Sequence, residues 1–233
     1  MEHWLELAKG PLFRFSFLLM ALGMLRLVAL QVVNVVSARH GAGDKFFPRG
    51  NVVRLTLDWM IPINRMHKLR PVQGVASFVF HAGMILVPLF FIEHVALWKK
   101  GVGFAWPGFP KSVADPLTIV TMVSLAVLVF VRVWDRNSRF ISRGFDYAVP
   151  ALLFVVFLTG FFSTHPAFSP VPYNVALLAH ILGAEAILVM IPFTKLAHVA
   201  LFPVIRVSSE IGWKFVPDAG EKVTAALGKE GKV

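Results

Sequence analysis

Residues 173–198 read YNVALLAHILGAEAILVMIPFTKLAH, an apolar stretch whose two histidines, His180 and His198, stand 18 residues apart. At about 100° per residue, 18 steps close five helical turns and rise about 27 Å, so on one continuous helix both imidazoles point the same way at two depths. That rise approaches the ~30 Å thickness of a bilayer's hydrocarbon core. A second apolar stretch, 74–97, carries His81 and His94. Imidazoles in lipid-spanning helices are costly unless something engages them, and four of them on two helices can hold two haem irons, each between a pair of rings. The pattern predicts electron transfer across a membrane.

The rest of the chain agrees with that environment. Of its 233 residues 57% are hydrophobic and 15% charged, and the mean hydropathy is +0.70. This is more apolar surface than one soluble core of this size buries. Reading for stretches of about 20 apolar residues gives five spans, 15–36, 74–97, 116–134, 146–163 and 173–203, an all-α membrane bundle with its termini on opposite sides. The domain expectation is a five-helix membrane domain over 1–206 and a tail over 207–233.

A net charge of +10 would suit nucleic acid, but the basic residues are confined to the connections, where membrane topology accounts for them. Arg39, Lys45, Arg49, Arg54, Arg65, Lys68 and Arg70 lie between the first two spans. Arg136, Arg139 and Arg143 lie between the third and fourth, and Lys214, Lys222, Lys229 and Lys232 in the tail. The N-terminus has only Lys9 and Arg14, and the stretch 161–174 has no basic residue apart from His165. The positive-inside rule then puts the N-terminus outside and the C-terminus in the cytoplasm. The chain has no cysteine, which excludes disulfides, thiolate-bound iron–sulfur clusters and c-type haem attachment.

In the connections, 51–63 mixes apolar and charged residues and would suit a short interfacial helix. Gly, Pro and Trp over 98–116 predict an ordered outer loop, and Trp98, Trp106 and Trp134 read as interfacial anchors.

Because the second and fifth spans run in opposite directions, depth pairs His81 with His198 and His94 with His180. The 13 steps from His81 to His94 leave their rings about 140° apart on an ideal helix. Pro88 lies between them and can distort the helix enough to bring them together. His67, 14 steps before His81 and only about 40° out of register, is the competing fourth ligand, although it sits among Arg65, Lys68, Arg70 and Pro71. A ligating imidazole needs an acceptor for its other N–H, and Ser77 and Thr194 are one turn from His81 and His198. Gly83 and Gly183 would let a porphyrin approach the backbone, or mark ordinary helix contacts. Arg26, Glu93 and Glu185 are ionisable groups in or beside spans: Arg26 would snorkel or meet a haem propionate, and the glutamates would move protons or answer a basic side chain.

These motifs resemble a known family. Phe80-His81-Ala82-Gly83 and Pro192-Phe193-Thr194-Lys195-Leu196-Ala197-His198, with His180 18 residues before, look like the di-haem cytochrome b family of respiratory nitrate reductase gamma subunits. The resemblance extends over nearly the whole chain. It implies two haem b groups, with His81 and His198 on the cytoplasmic side and His180 on the outer one, and oxidation of a quinol, menaquinol or ubiquinol, near the outer haem. It also implies a cytoplasmic iron–sulfur partner. In that family the remaining ligand stands three residues earlier, where this chain has Phe91. The longer spacing, and Gly10-Pro11-Leu12-Phe13, are similar to an offshoot in the membrane redox complexes of sulfate reducers, which pair such a subunit with iron–sulfur proteins and multihaem cytochromes c. Trp106, Pro107 and Lys111 match the arrangement that places a lysine at the quinol, and Arg26 matches an arginine of the first span. The competing expectation from another class is a haem-free transporter or channel whose histidines and Glu185 relay protons.

Overall fold

The computed structural model describes residues 1–41, 50, 53–54, 57, 70–212 and 219–228. Among the described residues the chain is helical, without strands, and has one isolated bridge between Phe91 and Phe109. Five helical stretches are long and apolar enough to cross a membrane: Glu2–Ser37, Pro71–Phe90, Lys111–Trp134, Phe145–Thr164 and Tyr173–Phe193. The five expected spans are therefore present, although the second ends at Phe90 and the fifth at Phe193. Large apolar side chains such as Leu22, Val123 and Phe130 stay more than half exposed, as lipid-facing residues do. The protein is an all-α, multi-pass membrane protein. Residues 51–63 lie largely outside the described residues.

The chain forms two compact units, one of 1–19 with 63–189 and the other of 20–62 with 190–233. The first begins with α1 (Glu2–Leu7), which runs through a π turn at Ala8–Leu12 into α2 (Phe13–Gly41). Pro11 sits in that turn; a proline cannot donate to the helical ladder, and the widened turn accommodates it. Leu5 and Ala8 are buried against Ile181, Leu177 and Leu178. Then come α3 (Pro71–Phe90), α4 (Ile92–Val102), α5 (Lys111–Trp134), α6 (Arg136–Ile141), α7 (Phe145–Thr164) and α8 (Tyr173–Met190). Pro71 opens α3 at the position where a missing N–H costs nothing. α4 closes on Gly103, whose φ of 92° only glycine adopts without strain.

Lipid supplies no hydrophobic drive between helices, so close packing of small residues has to hold them together. Gly83 of α3 lies directly on Thr121 of α5, with no room for a Cβ. Thr121 is itself buried, and its hydroxyl donates to Leu117 O within α5 at 2.6 Å. Val87, Phe91, Ala114 and Phe157 make the adjoining buried cluster. At the other end of these helices, Arg70 pairs with Asp135 at 3.0 Å. Asp135 also caps α6, accepting from Ser138 N. The Ser138 hydroxyl and amide, with Arg70 beside them, hold this carboxyl down to about 2.

The second unit holds the later part of α2, two 3-10 turns at Ile191–Phe193 and Lys195–Ala197, α9 (His198–Gly212) and α10 (Ala219–Ala226). Pro192 packs on Gly23, where a Cβ would come 2.5 Å from the proline's own.

Candidate functional site

The second span does not continue as one helix past Pro88. α3 ends at Phe90, Phe91 is extended (φ −66°, ψ 130°), and α4 starts anew at Ile92. Backbone groups released at membrane depth must find partners inside the protein, and here the 103–110 loop supplies them. Phe109 N donates to Phe90 O at 2.7 Å, Ile92 N donates to Phe109 O at 3.1 Å, and Trp106 Nε1 donates to Leu89 O at 2.7 Å. Trp106 is thus a structural clamp. Trp98 likewise packs edge-on against Phe13 and Phe17. The loop is shorter than expected, because α4 runs to Val102 and α5 already begins at Lys111, with Pro116 inside it.

The break resolves the angular defect between His81 and His94. An extended residue resets the azimuth of everything after it, so the count of 13 steps no longer sets the direction of His94. The His94 ring faces that of His180 on α8, with centres 5.9 Å apart and planes within 16° of parallel. Both rings are half-buried. His94 Nδ1 donates to Val87 O at 3.0 Å and His180 Nδ1 to Val156 O at 2.8 Å. A carbonyl can only accept, so each Nδ1 carries the hydrogen and Nε2 is left as the nitrogen able to bind a metal. Two imidazoles on one transition metal, with bonds of about 2 Å, set their ring centres roughly 6 Å apart. The pair has that separation.

Gly160 of α7 closes the back of the site. A Cβ there would stand 2.8 Å from His180 Cε1 and 2.9 Å from Nδ1, so any larger residue would displace the ring. The sequence reading missed this residue, since one glycine in an apolar span carries no signal by itself. Of the two readings of Gly83 and Gly183, the structure shows the helix contacts: Gly83 meets Thr121, and Gly183 meets Val156, where a Cβ would come 2.6 Å from Cγ2.

His81 and His198 belong to different units, and each shows the same engagement within its own. His81 Nδ1 donates to Ser77 O at 2.7 Å, and His198 Nδ1 donates to Lys195 O at 2.7 Å. Ser77 therefore serves its histidine mainly through its carbonyl; its hydroxyl lies farther away, at 3.4 Å. Thr194 does not serve His198. It is extended, donates to Met190 O at 2.8 Å and accepts from Leu196 N at 3.2 Å, capping the turn that precedes α9. The fifth span is therefore interrupted, and the five-turn register between His180 and His198 does not apply.

The remaining candidates are dispersed. His67 lies outside the described residues. Arg26 is exposed on α2 and Glu93 is exposed in the first turn of α4. Glu185 is 4% exposed, and neither carboxyl oxygen finds a hydrogen-bond partner among the described residues, so no basic side chain there answers it. Lys111, exposed at the start of α5, donates through Nζ to Thr164 O at the end of α7. One turn further on, Asp115 Oδ2 lies 3.2 Å from His165 Nε2. Among the described residues no group of three or more histidine, cysteine or acidic side chains forms a metal cluster.

Comparison with known proteins adds one relative. The chain is 35% identical over 152 residues to a protein of Nitratidesulfovibrio vulgaris (strain Hildenborough) designated only "Protein". The match covers 64% of this chain and 66% of the relative, so the chain spans just under two thirds of that protein's length. No family model matches the sequence, and no solved structure matches the fold.

Proposed function

We propose that this chain is a di-haem b subunit of a membrane redox complex, exchanging electrons between a quinol pool and partner subunits. The observation that carries the reading is the His94–His180 pair: near-parallel rings 5.9 Å apart, each with Nδ1 spent on a backbone carbonyl. The residues fit a haem iron, which takes one imidazole nitrogen on each face and favours ligands whose second nitrogen is held. His81 and His198, which the sequence assigns to the second haem, have the same Nδ1 engagement. When bound, the haems supply one-electron transfer; the protein holds their ligands, fixes tautomers and excludes water.

In this reading the N-terminus faces outward and the His94–His180 haem lies toward the outer side of a bacterial cytoplasmic membrane. Lys111, with two N–H donors left after Thr164 O, contacts a quinone oxygen. Electrons leave toward a cytoplasmic iron–sulfur subunit, and Arg26 stands near a propionate. The break at Phe91 also explains how the chain departs from the nitrate-reductase pattern and still brings a histidine to His180. The reading is tested by a reduced-minus-oxidised absorption spectrum of the purified chain: two bis-histidine haems give a sharp α band, whereas a haem-free transporter gives none.

A further inference from the structure

A cavity of about 390 Å³ opens where α3 begins, α5 ends and α6 turns away from them, lined by Arg70, Gln73, Arg132, Asn137, Ser138 and Ile141. No histidine borders it, and the redox reading above gives it no part. Two spans reach their ends here, so the cavity stands at the depth where acyl chains give way to headgroups.

Its polar lining is rich in unused donors. Arg70 donates only through Nη1, to Asp135 Oδ2 at 3.0 Å and, at 3.4 Å each, to Gln73 Oε1 and Ser138 Oγ. Arg132, half-buried in the last turn of α5, also donates only through Nη1, to Ser142 Oγ at 3.1 Å. A guanidinium carries its N–H groups on three nitrogens in a fixed fork. Among the described residues, each arginine therefore keeps the hydrogens of Nε and Nη2 for another acceptor. The side-chain amides of Gln73 and Asn137 add further donors. None of the six lining residues is acidic. Asp135, beside them, is committed to Arg70 and to the amide and hydroxyl of Ser138. Surplus positive charge with paired N–H donors is the chemistry that holds a phosphate, whose oxygens the fork meets two at a time.

The apolar surroundings select a phosphate carried by a lipid over a free one. Ile141 lines the cavity, and Trp134, Phe140 and Ile141 are each more than three-quarters exposed. Trp134 stacks on Phe130, itself more than half exposed on α5. Facing water, these side chains would be a liability; at a bilayer boundary they rest against acyl chains. Arg136, Arg139 and Arg143, exposed on the same connection, extend the attraction toward an anionic leaflet.

We propose that this cavity binds the phosphodiester of an anionic phospholipid. Arg70 and Arg132 take the phosphate oxygens, Gln73 and Asn137 meet the polar headgroup, and the acyl chains lie along Ile141 and its exposed neighbours. The site ties the start of α3 to the end of α5 through a lipid and needs no cofactor.

The test gives the full chain, purified in a non-ionic detergent, equal amounts of phosphatidylglycerol and phosphatidylcholine with the same acyl chains, and counts retained lipid by native mass spectrometry. Wild type should retain phosphatidylglycerol in preference by about tenfold. Arg132→Gln removes one fork. Asn137→Asp breaks no hydrogen bond among the described residues, and its acid suits the first turn of α6, so this variant keeps the fold while placing a carboxylate in the cavity. Each should cut the preference by about fivefold or more, the loss of a charge-assisted contact. Arg139→Gln, on α6 but outside the cavity, should keep it. Equal retention of the two lipids by wild type overturns the proposal, as does an undiminished preference in Asn137→Asp. An equal loss in Arg139→Gln would reduce the effect to diffuse surface charge and overturn it too. Displacement of the lipid by excess glycerol 3-phosphate would hand the cavity to a soluble phosphate and overturn the lipid assignment.

Discussion

The two apolar stretches expected as the second and fifth spans each carry two histidines and each is interrupted, but the interruptions are closed differently. In both, a proline precedes a single extended residue: Pro88 before Phe91, and Pro192 before Thr194. In both, a histidine follows within four positions. At Phe91 the freed backbone groups are taken up by a distant loop, through Phe109 and Trp106. At Thr194 the residue's own hydroxyl does the work, within one turn. His81 and His180, by contrast, stand on uninterrupted helix. Each span thus sets one imidazole by ordinary helical geometry and the other by a break, and residue counting is valid only for the first kind.

The sharpest way to break this comparison is to remove the histidine after the first break. His94→Ala should lose about half of the bound haem, measured as haem per protein, whereas His67→Ala should keep all of it; the reverse outcome would move the fourth ligand to His67. Next in size is the loop that holds the break. A Cβ at Gly108 would stand 2.8 Å from Phe90 O and 3.2 Å from Ile92 Cα, so Gly108→Val should push α4 away and weaken haem retention at His94 and His180 by about 10–100-fold, the effect typical of disturbing a ligand's support. Haem at His81 and His198 should persist.

The second break should be more tolerant. Thr194→Val removes one cap, a loss of about 1 kcal/mol, read as a small drop in unfolding midpoint with both haems retained, because His198 rests on the Lys195 carbonyl. Loss of a haem would show that the two breaks are equally critical. The smallest effect lies away from both breaks. Asp135 is held at about 2, below its ordinary 3.8. Its contribution is therefore fully present above about pH 4 and lost as pH falls through about 2. The midpoint difference between wild type and Asp135→Asn should follow that course; a difference independent of pH would separate the cap from the carboxylate's charge.

The spans were legible because lipid imposes a length and a composition on any helix that crosses it, so five apolar stretches were visible without tertiary information. The contact between His94 and His180 was legible as well, since ionisable side chains in apolar stretches stand out against Leu, Val and Phe. The second-nitrogen partners of the four histidines were read correctly only for Ser77, where the carbonyl four residues back is a local feature of the helix. Val87 O, Val156 O and Lys195 O carry no side-chain signal. Gly83 and Gly183 neighbour histidines in sequence and make helix contacts, whereas the glycine against an imidazole is Gly160, on another helix.

Composition and charge placement alone determined that this is a helical membrane protein, and the placing of four histidines in two apolar stretches raised the expectation of metal binding at two depths, because transfer to lipid penalises each residue individually. Opposed span directions already paired His94 with His180, and only the folded chain decided how the two rings come together. That pairing depends on an extended residue stabilised by backbone hydrogen bonds from a loop some 18 residues away, and such bonds are made by groups every residue possesses.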